Sequence, residues 1–222
     1  MPTRSLDVLA RLDRRVPAAL AARADTSAGE PVAPRPSASV VLLREAADGG
    51  LETYLLHRHA RMPFAPSVVV FPGGGVDPAD AGPDPRLACA LRETAEETGV
   101  ALVPGALRRW AHWVTPAVEP RRYDTLFYVA ALPAGAEASD VSGETTRAGW
   151  DRPAAALAAA DRGELVLMPP TRSVLLELAD LPDLAAVAEA ARDRVVETVL
   201  PVLRRDGAGW VFVYPDPAGS RS

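Results

Sequence analysis

Apolar and polar residues fall into short blocks along this chain, and the spacing within each block predicts an element. Ser39–Arg44 is a short apolar run, Glu45–Gly50 is a Gly/Asp turn, and Leu51–His57 is a second run, which together read as a hairpin. Ser67–Phe71 is another strand-like run, stopped by Pro72-Gly73-Gly74-Gly75, and a Pro/Asp-rich loop covers Val76–Pro85. Over Arg86–Thr98 the period changes to that of a helix, with Leu87, Ala88, Leu91 and Ala95 as its apolar stripe and Gly99 as its stop. Leu107–Thr115 and Thr125–Leu132 read as strands, Arg147–Asp151 as a further strand, and Pro153–Asp161 as a short helix. Pro169-Pro170 precedes a helical region over Thr171–Arg194, and Val195–Arg204 with Gly209–Tyr214 around Asp206-Gly207 make a last hairpin.

The first 36 residues differ in kind. Leu6 to Ala22 has Leu9, Leu12, Val16 and Leu20 at helical spacing, which predicts an Arg-rich amphipathic helix kinked or split at Pro17. It reads as a docking helix over the alternative of an organelle transit peptide because of Asp7 and Asp13, and Arg23–Pro36 reads as a linker. The expected organisation is a leader over 1–36 and one domain over 37–222, an α/β fold with a C-terminal helical and hairpin addition.

Composition narrows the function. Basic residues number 24 against 29 acidic ones, so the net charge of −5 argues against a nucleic-acid partner. The apolar runs fall far short of the roughly 18 residues of a membrane span. The single cysteine, Cys89, can form neither an internal disulfide nor a cysteine-based zinc site, and a reducing compartment, the cytoplasm, is the simple reading. Lys, Ile, Asn and Gln are absent, which points to a GC-rich bacterial genome and makes arginine the default cation.

The chemistry concentrates in Arg92-Glu93-Thr94-Ala95-Glu96-Glu97-Thr98-Gly99-Val100. Glu93, Glu96 and Glu97 stand at i, i+3 and i+4, on one face of a helix, where like charges repel. A hard divalent cation with oxygen ligands reverses that penalty, whereas a metal that prefers thiolate or imidazole finds no Cys/His pair here. Arg92 precedes Glu96 by four residues and can hold a carboxylate in place, and Gly73–Gly75 lets backbone approach a metal or phosphate. Five such fixed positions recur by chance about once per million starting points.

The segment from Phe71 to Val100 resembles the Nudix box, Gly-x5-Glu-x7-Arg-Glu-U-x-Glu-Glu-x-Gly-U with U apolar. Gly74 is the opening glycine, and Thr94 stands in at the first U. Seventeen residues separate Gly74 from Arg92 against thirteen in the motif, so four are inserted. Counting forward puts the first acidic position at Asp80, and counting back puts it at Asp84. The resemblance implies an α/β/α sandwich with a mixed central sheet, and Mg²⁺- or Mn²⁺-dependent hydrolysis of a diphosphate linked to a further moiety. It implies Glu93, Glu96, Glu97 and the Gly73 carbonyl as metal ligands. For the general base the resemblance implies two candidates, Glu93 and Glu144, the latter in Ser142-Gly143-Glu144. Homodimers are frequent in that family.

Leu55–His59, Met62-Pro63-Phe64, Val69–Gly74, Pro120–Tyr128 and Leu167–Thr171 resemble the branch that includes coenzyme A and acyl-CoA diphosphatases. The resemblance implies a small nucleotide substrate, coenzyme A or an acyl-CoA first and ADP-ribose or another nucleoside diphosphate derivative second. A nucleotide-sensing module of the same fold is the alternative from a different class. Arg58, Arg121 and Arg122 are candidate phosphate contacts, since guanidinium grips phosphate bidentately. Trp110, Trp113, Phe127 and Tyr128 can stack on an adenine, but they sit in strand-like runs and core packing is the favoured expectation.

Overall fold

A computed structural model describes residues 4–26, 29–58, 68–141, 143, 145–207 and 209–215, with only the backbone of Arg58. Its centre is strand β1 (Arg35–Glu45), apolar on both faces, as a strand covered on both sides must be. Ala38, Val40 and Leu42 point to one side, and Val41 and Leu43 to the other. β1 pairs antiparallel with β2 (Leu51–Arg58) through Leu43–Glu45, and parallel with β6 (Tyr123–Ala131) along most of its length. β5 (Arg108–Val114) extends the sheet antiparallel to β6, and β7 (Thr145–Asp151) pairs with the far side of β2.

The sheet splits between β1 and β2. Beyond their short pairing, the segment carrying β3 (Val69–Val70) and β4 (Gly73–Gly75) wedges in: β3 pairs with the end of β2 and β4 with Ser37–Ser39 of β1. Within the run expected as a strand over Ser67–Phe71 the structure has β3 at Val69–Val70, and the glycine run expected only to stop it forms a second short strand on a different partner. The wedge carries the glycine turn to the mouth of the split.

Helix α2 (Pro85–Thr98) covers one face, with Cys89 and Ala90 fully buried against Val40, Leu42, Tyr54, Leu56, Leu126 and Tyr128. It starts where Asp84 accepts a hydrogen bond from Leu87 N at 3.1 Å and Pro85 takes the first position, and it stops at Gly99 with φ 72°. The opposite face is covered by α3 (Pro153–Asp161), α4 (Pro169–Ala179) and α5 (Leu184–Arg192). The expected helical region over Thr171–Arg194 breaks at Asp180–Pro182, and Asp183 caps α5 by accepting from Ala186 N at 2.7 Å. This is the expected α/β/α sandwich with a mixed sheet. Trp110, Trp113, Phe127 and Tyr128 are buried within it.

The first segment departs from the expected helix. Leu9–Arg11 is a 3-10 turn, and α1 (Ala18–Thr26) begins only after Pro17, whose carbonyl accepts from Leu20 N and Ala21 N at 2.9 Å. Leu6, Val8, Leu9 and Leu12 join the same core cluster as Val187, Ala191 and Val199. Burial against the C-terminal segment overrides the helical period. Backbone bonds Ser5 N to Val195 O at 3.1 Å and Phe212 N to Arg14 O at 2.8 Å hold the two chain ends together. Short strand β8 (Thr198–Val199) pairs parallel with β5, and β9 (Val202–Asp206) with β10 (Gly209–Val213) forms a separate hairpin. Among the described residues no helix is long and apolar enough to cross a membrane.

Candidate active site

The inner face of α2 meets the glycine turn directly. Gly73 N–H donates to Glu97 Oε2 at 2.8 Å. A Cβ built on Gly74 would lie 2.2 Å from Glu93 Oε1 and 2.9 Å from Glu93 Oε2, so the carboxylate occupies the space that a side chain would need. A Cβ on Gly73, at φ +154°, would lie 2.3 Å from the Ala38 carbonyl oxygen and so strike β1 itself. The two glycines serve different needs: one lets the turn lie on β1, the other lets it lie on Glu93.

Arg92 organises the acidic groups around it. Its Nε and Nη2 donate to Asp80 Oδ1 and Oδ2 at 2.9 and 2.8 Å, a bidentate grip. Its Nη1 donates to Glu93 Oε1 and to Glu96 Oε2, both at 2.9 Å. The Asp80 side chain is 2% exposed, and its bonds to Arg92 hold its carboxyl below the usual range against the opposing effect of burial. Glu93 goes the other way: burial raises its carboxyl, and Arg92 only partly restores it. Glu96 is 58% exposed and faces solvent.

The two ways of counting the first acidic position therefore lead to different jobs. Asp80 is the partner of Arg92, and Asp84 is the helix cap. The signal was present in the sequence: Asp followed by Pro at the start of a helical pattern is a capping pair. Thr94, at an apolar position of the motif, is buried and donates its hydroxyl to Ala90 O at 2.7 Å, which satisfies its polarity within the helix.

Cys89 Sγ lies 3.4 Å from Gly74 O beneath the turn, a contact the sequence did not disclose. Burial pushes its thiol up to about 12, so it is no nucleophile. Native protein at pH 8 is expected to resist iodoacetamide and to take up one equivalent once unfolded, as read by intact mass. Rapid labelling of folded protein would contradict this burial.

The proposed phosphate contacts lie in different settings. Arg122 is buried, donating from Nε to Thr115 O at 3.0 Å and from Nη1 to Val32 O at 2.7 Å. It ties residues 29–35 to the β5–β6 connection, a structural job where a phosphate contact was expected. Arg121, beside it, is exposed. Thr125 and Gly75 flank Ser37 of β1 on opposite sides, which puts this connection and the glycine turn at the same end of the sheet, two strand spacings or about 10 Å apart. The Arg58 side chain and Glu144 lie outside the described residues. Val141, close before Glu144, donates its N–H to Glu97 O at 3.3 Å.

A divalent ion fits this donor set. The Glu93 carboxylate lies where a Cβ on Gly74 would be, Glu97 accepts from Gly73 N–H, and the carboxylate donors are hard oxygens, which suits Mg²⁺ or Mn²⁺. Among the described residues no three acidic, histidine or cysteine side chains form a ready-made cage. Arg92 Nη1, lying between Glu93 and Glu96, supplies the compensating positive charge.

Known proteins resemble this chain in sequence and fold. A Caenorhabditis elegans protein that carries the name nudix hydrolase 7 is 27% identical over 186 residues, 67% of this chain, and the chain spans 62% of that protein's length. The crystal structure of a NUDIX hydrolase from Alicyclobacillus acidocaldarius matches with TM-score 0.65 and 26% identity, over 71% of this chain and 96% of that one. A Caenorhabditis elegans Ap4A hydrolase shares the fold at TM-score 0.50 and 22% identity, over 70% of this chain and 98% of its own. The NUDIX domain matches residues 33–168, well over half of the chain. That match takes in both the split sheet with its glycine turn and the helix that faces it, and the chain accordingly belongs to the Nudix hydrolase family.

Proposed function

We propose that this enzyme hydrolyses the diphosphate linkage of coenzyme A or an acyl-CoA, with Mg²⁺ or Mn²⁺, giving 3′,5′-ADP and a phosphopantetheine product. The observation that carries the hydrolytic part is the seating of Glu93 and Glu97 on the glycine turn. Nudix hydrolases generally use divalent metals, and the residues proposed to hold one are Glu93, Glu96 and Glu97 with the Gly73 carbonyl. When bound, the metal neutralises phosphoryl oxygens and lowers the pKa of a water.

The side chains do the rest. Arg92 orients Glu93 and Glu96 and stays anchored by Asp80. Glu93, its carboxyl raised by burial, can take the proton of the attacking water. Glu144, three residues after Val141 in sequence, is the other proposed base. Arg121 and Arg58 are the proposed phosphate contacts. What supports a coenzyme A substrate is the sequence resemblance of the lead-in, Pro120–Tyr128 and Leu167–Thr171 segments to that branch. In the fold, Leu167 bridges to Val69 and so lies beside the wedge. A cytoplasmic homodimer is the setting this reading implies.

A panel of coenzyme A, acyl-CoA, NADH, ADP-ribose and nucleoside triphosphates, each with Mg²⁺ and Mn²⁺, tests the substrate. Release of 3′,5′-ADP from coenzyme A or an acyl-CoA, faster than any other cleavage, is expected. Preferred release of AMP from ADP-ribose would replace this substrate with the second one.

A further inference from the structure

Four side chains from four elements meet at the start of α2. Arg86, in its first turn, donates from Nη2 to Asp124 Oδ2 of β6 at 2.6 Å. The other Asp124 oxygen takes a short contact from His112 Nε2 of β5, and Arg86 Nη1 lies 3.2 Å from that same nitrogen. His112 Nδ1 is 2.8 Å from Thr198 Oγ1 of β8. Nε2–H faces the carboxylate acceptor, and Nδ1 shares a hydrogen bond with the Thr198 hydroxyl, which can serve as donor or acceptor. The Arg86, His112 and Asp124 side chains are only 24%, 22% and 26% exposed, so the chain is shielded from the screening that weakens surface pairs. The same order of hydroxyl, imidazole and carboxylate occurs in nucleophilic sites, but here Arg86 holds the second carboxylate oxygen and neutralises it.

Position gives the chain its meaning. Arg86 precedes Glu93 by seven residues and Glu97 by eleven, two and three turns on the same stripe, with about 10 Å along the axis to Glu93. The far end of α2 is fastened separately, by Ser139 N to Thr98 O at 3.1 Å and Val141 N to Glu97 O at 3.3 Å. The acidic face is therefore slung between two anchors. The first of them is completed by Thr198, which lies outside the matched residues 33–168 and reaches His112 because β8 pairs with β5 at that position.

We propose that His112 is a positioning residue: with Thr198 behind it, it fixes Asp124 and Arg86, and so holds α2 at the height and rotation at which Glu93 and Glu97 face the glycine turn. The C-terminal segment thereby contributes to metal binding without touching the metal. This rests on the reading that α2 carries the metal-binding face.

The test is a Mn²⁺ titration followed by the electron paramagnetic resonance of the free ion, which needs no turnover, together with hydrolysis at saturating Mg²⁺ and the thermal midpoint. His112→Ala is expected to bind Mn²⁺ at least about 5-fold more weakly, below the 10–100-fold of a residue bonded directly to a ligand, with kcat at saturating metal nearly unchanged. His112→Gln, which can both donate and accept, should restore most of the affinity, and Thr198→Val should fall between. A folded His112→Ala protein with native affinity overturns the proposal, and so does a His112→Gln protein as weak as His112→Ala. Should His112→Ala fail to fold, Thr198→Val decides, and native affinity there overturns it. Wild-type protein that binds no Mn²⁺ sinks this proposal together with the metal reading, whereas wild-type binding with unaffected variants sinks this proposal alone.

Discussion

The Glu93→Gln enzyme is expected to keep its thermal midpoint and to hydrolyse its diphosphate substrate about 10²–10⁴-fold more slowly at saturating Mg²⁺. Glutamine has the volume of glutamate, so it fills the space that Gly74 leaves open, and its carbonyl oxygen can still accept from Arg92 Nη1, 2.9 Å away in the native chain. What it loses is charge and basicity. Both matter here, because a half-buried carboxylate is placed where a cation or a proton has to be received. The fold has little reason to change: neutralising Glu93 relieves the repulsion from Glu96 and Asp80. Steady-state rates across a Mg²⁺ series, beside thermal unfolding of the same preparation, separate the two effects. Turnover within tenfold of native would show that neither the metal nor the proton depends on Glu93.

The chemistry was legible from sequence because it depends on spacing along one helix. Three carboxylates at i, i+3 and i+4 with an arginine before them leave a fixed trace whatever surrounds them, and α2 keeps that register from Pro85 to Thr98. The central strand was legible for a similar reason: β1 is apolar on both faces, and runs of that kind are few, whereas β4 forms in a glycine run that reads only as a stop. What sequence could not show are contacts between segments far apart in the chain. The side chains of Leu6–Leu12 carry a helical period, yet burial in the core beside α4 leaves only a 3-10 turn at Leu9–Arg11. Arg122 looks like any other arginine until Val32 and Thr115 present their carbonyls to it. The anchor through His112 joins residues from 86 to 198, and no local pattern marks it.

Loss of the Arg194 cation is expected to destabilise the fold by about 3–5 kcal/mol, the cost of leaving one partner of a buried ion pair alone. The Arg194 side chain is 1% exposed and that of Glu177 13%. Arg194 bonds Glu177 Oε1 at 2.5 Å, donates from Nε to Trp110 O at 2.6 Å, and stacks on the Trp110 ring at 4.0 Å. Trp110 Nε1 donates to the other Glu177 oxygen at 2.9 Å, so the network joins β5 to α4 and to the residues after α5. In Arg194→Met the apolar stem and the stacking area largely remain, while the charge and the bonds disappear. Burial already raises the Glu177 carboxyl even beside its cation. A carboxyl raised on folding stabilises the native state below its unfolded pKa, and that contribution is lost as pH rises through the folded value. With Arg194 gone, Glu177 is raised further. The deficit of Arg194→Met against native protein should therefore widen as pH rises through the region where Glu177 ionises, and narrow at acid pH. Adding Glu177→Met should recover most of the loss at every pH, because two apolar side chains leave no buried charge without a partner. Urea titrations of the native, single and double variants across the pH range would show the pattern. A single variant with a pH-independent deficit, or a double variant no better than the single, would mean that the lost stability came from packing on Trp110 and not from the stranded carboxylate.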